Sequence, residues 1–363
     1  MRKIVILANH FLTIHRFRNE LVDRLIAEGF EVHIVIPEDE NDFFTKKGCK
    51  VAKVSVDRHG INPIKDLALM IKYFKIIKKI SPDVVLTYTI KPNIYGGICC
   101  KLLKVPILQN ITGLGVAVNK GGMLKALLVF LYKIAFNKQR CVFVQNDDNL
   151  TFLHNNNITP FTYRKIPGSG VNLSKYTVLD YPEDEKVKFL FIARIMKSKG
   201  IDEFIEAATH FKGKNVSFHV LGFCEDEYAE QLKKLQEEDV LIYHGMVDNV
   251  LEFHKTAHCT INPSYHEGMS NVLLEASACG RPCLCSNIPG CKEIVDDGKN
   301  GFLFEPKNAQ SLIDSIEKFL VLSTQERKKM GLHARSKVEN EFDRNTVIEV
   351  YLDEINKIME LKK

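Results

Sequence analysis

The chain has 363 residues, enough for two domains, and its 45% hydrophobic and 26% charged content is typical of a globular protein. It contains no uncharged apolar run of roughly 18 residues, which argues against a membrane-spanning helix, and its first ten residues do not resemble a signal peptide. Residues 1–165 carry 25 basic and 13 acidic residues (+12), and residues 166–363 carry 25 and 32 (−7), so only the first half is expected to meet an anionic surface.

The first half of the chain alternates short apolar runs with longer amphipathic segments. The short runs predict buried parallel strands, and the amphipathic segments predict the helices between them. This pattern indicates an α/β fold with a doubly wound parallel sheet, in which ligands bind at the carboxyl ends of the strands. The predicted strands are 3–9, 31–37, 51–56, 83–88, 105–111 and 141–146, and the predicted helices are 19–28, 66–80 and 95–103.

Three polar segments follow predicted strands and should therefore lie at that edge of the sheet. They come after the first, fourth and fifth strands. Each could equally be an ordinary polar loop, so both interpretations stay open. The candidate residues are His15, Arg16 and Arg18 in the first segment, Lys91 and Asn93 in the second, and Thr112 and Gly113 in the third, which reads Thr112-Gly-Leu-Gly115.

Two helical segments of this half are rich in lysine. Segment 66–80 carries four lysines, and the strongly apolar segment 123–138 is interrupted by Lys125 and Lys133. A basic amphipathic helix can lie in a membrane interface, where lysine stems cover apolar surface. The alternative is a core helix whose lysines reach solvent, and the sequence leaves both open. The four lysines of the first segment are Lys72, Lys75, Lys78 and Lys79.

Residues 167–185 are rich in turn formers and end in acidic residues, which predicts a linker. The alternating pattern then restarts, so two domains are predicted, at 1–166 and 186–344. Later predicted strands are 188–195, 215–222 and 240–247, and later predicted helices are 201–209, 309–322 and 345–363.

Arg194 stands at the end of the first strand after the linker, and Lys199 follows five residues later, just before Gly200 and the next helix. Two cations across a strand-to-helix turn can both reach one diphosphate, and a guanidinium can bind it through two hydrogen bonds. The alternative is a pair of surface cations.

Segment 262–301 leads from a strand through a loop into a predicted helix. The unpaired amides and partial positive charge of a helix start can bind a phosphate. Glu267 and Glu275 bracket this start, roughly 12 Å apart along a helix axis, which suits a ligand with a hydroxylated group at each end. Two solvated carboxylates are the alternative. The predicted first turn consists of Gly268, Met269, Ser270 and Asn271.

Neither the cysteines nor the acidic residues predict a metal site. The ten Cys are scattered and form no C-x-x-C pair, which favours reduced thiols over a zinc site. Three Glu-Asp-Glu triplets, at 38–40, 183–185 and 225–227, contain no D-x-D motif and are interpreted as solvated turns. We therefore expect no metal and no cofactor.

The sequence pattern of segment 262–301 is more specific than the spacing of Glu267 and Glu275. It reads E-G-x-S-N-x-x-x-E-A-x-A-x-G-x-P and then P-G-x-x-E-(I/V)-x-x-x-G-x-x-G. This long ordered string resembles the donor half of the retaining glycosyltransferases of family 4, whose GT-B fold has two Rossmann-like domains facing across a cleft. The matching positions are Glu267, Glu275, Ala276, Gly280, Pro282, Pro289, Gly290, Glu293, Gly298 and Gly301.

The resemblance implies roles for the donor-half residues. Glu267 would hold the sugar hydroxyls and Glu275 the ribose, while Arg194 and Lys199 would bind the donor diphosphate. Glu267, Arg194 and Lys199 are thus the expected catalytic residues, and the last helix, 345–363, is expected to cross back to the first domain. The expected donor site adds the four helix-start residues together with Gly170, Gly222 and His244.

The first half departs from the family at two places. Relatives often have a glycine-rich loop after the first strand, and many have a His after the fourth strand that faces the donor sugar; this chain has neither. The sequence His-Arg-Phe-Arg at 15–18 instead resembles that of a bacterial subgroup that extends polyprenyl-diphosphate-linked sugars. This subgroup includes N-acetylgalactosaminyltransferases and capsule or O-antigen enzymes. By this resemblance, the seven candidates of the first half bind the acceptor.

We therefore expect a metal-independent retaining glycosyltransferase that moves a hexose or N-acetylhexosamine from a nucleotide sugar, with UDP favoured, to a polyprenyl-diphosphate-linked saccharide. Its expected partners are these two substrates and an anionic membrane surface, without nucleic acid. The expected location is cytoplasmic, on the inner face of the cell membrane. Two alternatives are a UDP-sugar 2-epimerase of similar fold and a non-catalytic nucleotide-sugar-binding subunit of a polymer assembly complex.

Overall fold

The computed structural model describes residues 2–57, 60, 62–113, 122–224 and 226–361. The chain forms two compact units, of which the first comprises Met1–Ser169 with Asn345–Lys363 and the second Gly170–Arg344. Gly115 and Glu225, which belong to the segments considered above, lie outside the described residues.

The first unit contains a seven-stranded sheet with the order β3-β2-β1-β4-β5-β6-β7, and every neighbouring pair is parallel. Its strands are β1 Lys3–Leu7, β2 Glu31–Ile36, β3 Lys50–Lys53, β4 Val84–Tyr88, β5 Ile107–Ile111, β6 Cys141–Val144 and β7 Tyr163–Lys165. Its helices up to β7 are α1 Phe11–His15, α2 Asn19–Ala27, α3 Phe43–Lys46, α4 Pro63–Ile80, α5 Gly97–Leu103, α6 Gly122–Phe136 and α7 Asp147–Asn155, with a π turn at Pro92–Gly96.

The second unit contains a six-stranded sheet with the order β10-β9-β8-β11-β12-β13, again parallel throughout. Its strands are β8 Val187–Ile192, β9 Val216–Leu221, β10 Ile242–Tyr243, β11 Cys259–Asn262, β12 Cys283–Ser286 and β13 Gly301–Phe304. Its helices are α8 Ile201–His210, α9 Asp226–Glu237, α10 Leu251–Thr256, α11 Asn271–Ala278, α12 Ala309–Leu320 and α13 Thr324–Glu341, and α14 follows at Arg344–Glu360.

The central strand β1 shows why apolar runs give buried strands. Successive side chains alternate between the two faces of a sheet. Ile4 and Ile6 join one core cluster, and Val5 and Leu7 join another on the opposite face. A strand covered on both faces must be apolar throughout, as expected for a parallel sheet.

Helix α14 completes the first unit. Tyr351 and Ile355 are buried in the same cluster as Ile4 and Ile6. The Asn110 amide donates to the Tyr351 hydroxyl at 2.5 Å, which ties the helix to the end of β5. None of the helices in the described part of the chain is both long and apolar enough to cross a membrane.

Residues 170–185 pack onto the second unit. Val171, Tyr176 and Tyr181 are buried there. The fully buried guanidinium of Arg281 donates to the carbonyls of residues 179 and 180, at 3.2 and 2.5 Å. The predicted linker is therefore anchored to this unit by a few buried residues.

The fold class is confirmed: each unit is an α/β domain with a doubly wound parallel sheet. Two local predictions were wrong. The strand predicted at 240–247 is only Ile242–Tyr243, because Gly245 turns the backbone with a φ of +70°. The triplet at 38–40 is not simply solvated, since Asp39 is buried and its carboxylate accepts from the amides of Phe44 and Thr45 at 3.0 and 3.1 Å.

Candidate active site

The strand order of the second sheet brings two predicted loops together. Strands β8 and β11 are hydrogen-bonded neighbours, so the loops at their carboxyl ends are also neighbours. The first loop carries Arg194 and Lys199, and the second carries Glu267. Lys199 Nζ donates to Glu267 Oε1 at 2.7 Å, and the two side chains are only 23% and 16% exposed.

Two glycines fix the loop that carries Glu267. Gly200 has a φ of +75°, and a Cβ there would lie 2.1 Å from the Pro263 carbonyl oxygen. Gly290 has a φ of +85°, and a Cβ there would lie 2.8 Å from the Glu267 carbonyl oxygen and 2.7 Å from that of Gly268. Side chains are excluded at both positions, so the loop is held closely on two sides.

The helix start differs from the prediction. Helix α11 begins at Asn271 with Ser270 as its N-cap, so Gly268 and Met269 precede the helix, and the Met269 side chain is buried in the core. Since Glu267 also lies outside the helix, the helical estimate of its distance from Glu275 does not apply.

Ser270 is committed to internal hydrogen bonds. Its hydroxyl accepts from Asn262 Nδ2 at 2.6 Å and from the amide of Leu273 at 3.4 Å. Its own amide donates to the Gly290 carbonyl at 2.8 Å. The buried hydroxyl therefore caps α11 and links it to the turn at Gly290.

The surroundings of Glu267 are rich in cations. Burial lowers the pKa of His266, Lys307 and Lys199 lower it further, and Glu267 acts in the opposite direction. Arg194 is exposed and makes no ion pair or hydrogen bond with any other described residue. Such a group of cations favours an anionic ligand.

Glu275 lies in the second turn of α11, next to Tyr176. The pKa of the Tyr176 hydroxyl is raised by burial and by the charge and hydrogen bonding of Glu275. A ligand hydroxyl bound by Glu275 would therefore share this carboxylate with Tyr176.

The loops after β9 and β10 carry Gly222 and His244. The Gly222 amide donates to the Gly245 carbonyl at 2.8 Å, and a Cβ on Gly222 would lie 1.7 Å from the carbonyl oxygen of Ala193, next to Arg194. The His244 ring stacks on His219, with His219 Nδ1 and His244 Nε2 3.0 Å apart. Burial lowers the pKa of both imidazoles, that of His219 to about 4.

Gly170 has a backbone role. With a φ of +61°, a Cβ there would lie 2.6 Å from the Arg344 Cα, where the chain enters α14. The close approach of two backbones explains the glycine at this position.

The first-unit candidates follow β1, β4 and β5, which are adjacent in the first sheet. Asn93 is buried, where it accepts from Thr87 Oγ1 at 2.6 Å and donates to the Asn110 carbonyl at 2.7 Å. Lys91 Nζ donates to Asp66 Oδ1 at 2.6 Å. These contacts hold the two side chains within the unit.

The segment after β1 also turns inward. The Arg18 side chain is buried, with its guanidinium 4.9 Å from the centre of the Tyr88 ring. His15 stacks on Phe11 at 4.8 Å, whereas Arg16 is exposed. Thr112 and Gly113, after β5, are half-buried.

The sequence analysis missed three residues in or beside the loop of Glu267, namely Tyr265, Glu203 and Lys307. The Tyr265 hydroxyl donates to Glu203 Oε1 at 2.7 Å, and Lys307 Nζ lies 5.1 Å from the centre of the Tyr265 ring. The available signal was an aromatic residue in a polar loop two positions before Glu267. Among the described residues, no three His, Cys, Asp or Glu side chains are grouped as metal ligands would be.

Two parallel-sheet Rossmann-like domains, one with cations and a carboxylate gathered at its carboxyl edge, define an α/β protein of the GT-B class. Residues 180–337 match the family model of glycosyl transferases group 1, and residues 3–146 match that of glycosyl transferase 4-like proteins. Together the two models cover most of the chain, which therefore belongs to the glycosyltransferases that they describe. The resemblance seen in the sequence is confirmed.

Two curated relatives have related names. One is the N,N'-diacetylbacillosaminyl-diphospho-undecaprenol alpha-1,3-N-acetylgalactosaminyltransferase of Campylobacter jejuni, 27% identical over 96% of this chain and 97% of that protein. Another is the UDP-Gal:alpha-D-GlcNAc-diphosphoundecaprenol alpha-1,3-galactosyltransferase of Escherichia coli, 27% identical over 78% of both chains.

Solved structures share the fold. Sucrose-phosphate synthase from Thermosynechococcus elongatus aligns over 100% of both chains with a TM-score of 0.81 and 19% identity. HepE from Anabaena in complex with UDP-glucose aligns over 98% of this chain and 100% of its own, with a TM-score of 0.80 and 17% identity.

Proposed function

We propose that the protein transfers a hexose or N-acetylhexosamine from a UDP-sugar to a saccharide linked to polyprenyl diphosphate, with retention of configuration and without a metal ion. The observation that carries the proposal is the 2.7 Å pair between Glu267, on the loop after β11, and Lys199, on the neighbouring loop after β8 that also bears Arg194. The carboxylate can bind the sugar hydroxyls, and the two cations can bind the diphosphate.

In the proposed reaction, the acceptor hydroxyl oxygen bonds to the anomeric carbon as the bond from that carbon to the diphosphate breaks. The acceptor proton passes to the departing diphosphate oxygen on the same face of the sugar. Arg194 and Lys199 stabilise the negative charge that grows on the diphosphate, because they are positioned before the reaction begins. Glu267 orients the sugar hydroxyls.

The acceptor class is proposed from the relatives. The names of both curated relatives described above include a sugar on diphospho-undecaprenol. We place this acceptor at the carboxyl edge of the first sheet, where Arg16, Thr112 and Gly113 retain exposed surface. The UDP carrier is proposed from the E. coli relative and from the UDP-glucose complex of HepE.

The first unit has a surface suited to an anionic membrane. Helix α6 contains no acidic residue, and it exposes Met123, Leu127 and Phe130 on one side. Lys125 and Lys133 border a neighbouring cavity of about 430 Å³. Exposed apolar side chains between lysines are typical of helices that lie in a membrane interface.

Helix α4 has the same character. Ile64, Leu67 and Ile71 are exposed near its start, and Lys72, Lys75, Lys78 and Lys79 follow toward its end. Each lysine close to anionic lipid adds roughly 1 kcal/mol of attraction. We propose that α4 and α6 hold the enzyme at the inner face of the cell membrane, where its acceptor lies.

A donor panel tests the proposal. The protein is incubated with UDP-glucose, UDP-galactose and their N-acetylhexosamine counterparts, with GDP-mannose as the base control, and with membrane extract containing EDTA. Labelled lipid together with released UDP supports the proposal. An epimerised UDP-sugar would indicate the 2-epimerase, and tight UDP-sugar binding without turnover would indicate a binding subunit; either result contradicts the proposal.

A further inference from the structure

We propose that Tyr265 positions Glu267 against Lys199 by joining three loops of the second unit, and that it thereby sets the rate of transfer without touching substrate. This inference rests on the function proposed above. Tyr265 is assigned the role of a positioning residue, because it is proposed to act on the reaction through Glu267 and Lys199.

Tyr265 connects the loop after β11 with the loop after β8 and with α8. Its amide donates to the Ser198 carbonyl at 3.0 Å, next to Lys199. Its hydroxyl donates to Glu203 Oε1 at 2.7 Å. The main chain and the side chain therefore fasten the loop of Glu267 to the segment that carries Lys199.

The third connection comes from the loop after β13. Lys307 Nζ lies 5.1 Å from the centre of the Tyr265 ring, within the range of a cation–π interaction. This aromatic side chain, which follows β11, thus contacts groups from the elements that follow two other strands, β8 and β13.

Glu203 depends on this contact. Its second carboxylate oxygen, Oε2, is buried and has no hydrogen-bonding partner among the described residues. Burial and the neighbouring Glu203 raise the pKa of the Tyr265 hydroxyl, so that hydroxyl stays protonated and remains a donor near neutral pH. A hydrogen bond to a carboxylate is stronger than one between neutral groups, so Glu203 holds the Tyr265 hydroxyl firmly.

The distance from Tyr265 to Glu267 is short along the chain. Two residues span at most about 7 Å, so a shift of Tyr265 is passed on to Glu267 with little room for compensation. A misplacement of about 1 Å near a reacting group can cost about a hundredfold in rate. Loss of a single hydrogen bond should move the loop by less than this.

The structure offers a matched control. The Tyr228 hydroxyl, on α9, donates to Asp202 Oδ1 at 2.9 Å. Asp202 is the neighbour of Glu203 on α8, so this hydrogen bond has the same chemistry and ties down the same helix. It does not connect α8 to the loop of Glu267.

The experiment compares Tyr265→Phe with Tyr228→Phe and with two variants of Glu203. Kinetics are measured with the UDP-sugar that turns over fastest in the donor panel, and UDP affinity by calorimetry. We expect Tyr265→Phe and Glu203→Ala to lower kcat about tenfold while the Kd for UDP changes less than twofold. Glu203→Gln, which retains an acceptor oxygen, and Tyr228→Phe should keep kcat within about twofold of wild type.

A wild-type kcat for Tyr265→Phe would overturn the inference, and so would an equal loss for Tyr228→Phe, which would point to a general effect on α8. Crystal structures of wild type and Tyr265→Phe give a test that needs no turnover. We expect the Lys199 to Glu267 separation to exceed about 3.5 Å in the variant. If no UDP-sugar is transferred, the proposed function fails, whereas an unchanged separation refutes the positioning role itself.

Discussion

Substitution of Glu267 by Gln separates the binding of the diphosphate from the transfer of the sugar. The side chain keeps its shape but loses its charge, so Lys199 loses the carboxylate that lies 2.7 Å from it. Lys199 can then pair fully with an incoming diphosphate. We therefore expect the variant to bind UDP at least as tightly as wild type.

The expected gain in affinity follows from the burial of the pair. Ion pairs in solvent are worth up to about 1 kcal/mol, and those in the interior more. Because both partners are largely but incompletely buried, release of Lys199 should favour UDP by ~1 kcal/mol, or about fivefold in Kd.

The rate of transfer should change in the opposite direction. As the diphosphate leaves, positive charge grows on the sugar, and a carboxylate can stabilise that charge where a neutral amide cannot. Removal of one such electrostatic group typically costs about a hundredfold or more in kcat. Glu267→Gln should therefore lower kcat at least about a hundredfold while tightening UDP binding.

Steady-state kinetics and UDP calorimetry on the same preparation measure both quantities. Glu206→Gln is the control, since Glu206 is exposed on α8 and has no ion-pair partner among the described residues. Transfer by Glu267→Gln at the wild-type rate would remove this carboxylate from the mechanism. UDP binding weakened tenfold or more would contradict the proposed competition for Lys199.

Three further changes have defined outcomes. Gly200→Ala should lower the free energy of unfolding by about 2–4 kcal/mol in urea titrations, because φ is +75° and the added Cβ meets the Pro263 carbonyl; stability equal to wild type would contradict this. Burial and Arg281 lower the pKa of His254 to about 3. The unfolded chain therefore binds a proton first as the pH falls below about 6.5, and His254→Phe should gain about 2 kcal/mol relative to wild type between pH 7.5 and pH 5. A gain that does not depend on pH would refute the burial of a neutral imidazole. Replacing the four α4 lysines with Gln should weaken co-sedimentation with anionic vesicles, and unchanged binding would refute the membrane role of α4; the lysines are Lys72, Lys75, Lys78 and Lys79.

The fold class was predictable because apolar runs and amphipathic segments alternate through both halves. Strand order was not predictable from this pattern, since periodicity reports only the local state of the chain. Lys199 and Glu267 lie 68 residues apart, and they meet because β11 pairs with β8. That these two residues lie close together was inferred from the family resemblance alone.

The start of α11 was predicted too early because Gly268 and Met269 were placed in its first turn. Ser is among the preferred N-cap residues, and Ser270 takes that position with support from Asn262 and Gly290. Asn262 ends β11 and Gly290 lies in the turn after β12, so the residues beside Ser270 in the sequence could not show these partners.

Polarity alone did not distinguish the two interpretations of the first-unit loops. Asn93 and Arg18 were expected at a ligand-binding edge, yet both are buried among internal partners. A polar side chain in a loop has the same appearance in sequence whether it reaches a ligand or satisfies a buried carbonyl. Tyr265 was missed because an aromatic residue in a loop gives no sign in the sequence that its hydroxyl makes a contact.

The return of α14 to the first unit bears on the order in which the protein can be made. Residues 1–169 leave the ribosome long before the helix that covers one face of their sheet. Until Tyr351 and Ile355 are synthesised, Ile4 and Ile6 lack part of their apolar cover. The second unit, which is continuous in the chain, can therefore mature before the first, and a nascent chain would expose apolar surface to chaperones during that interval.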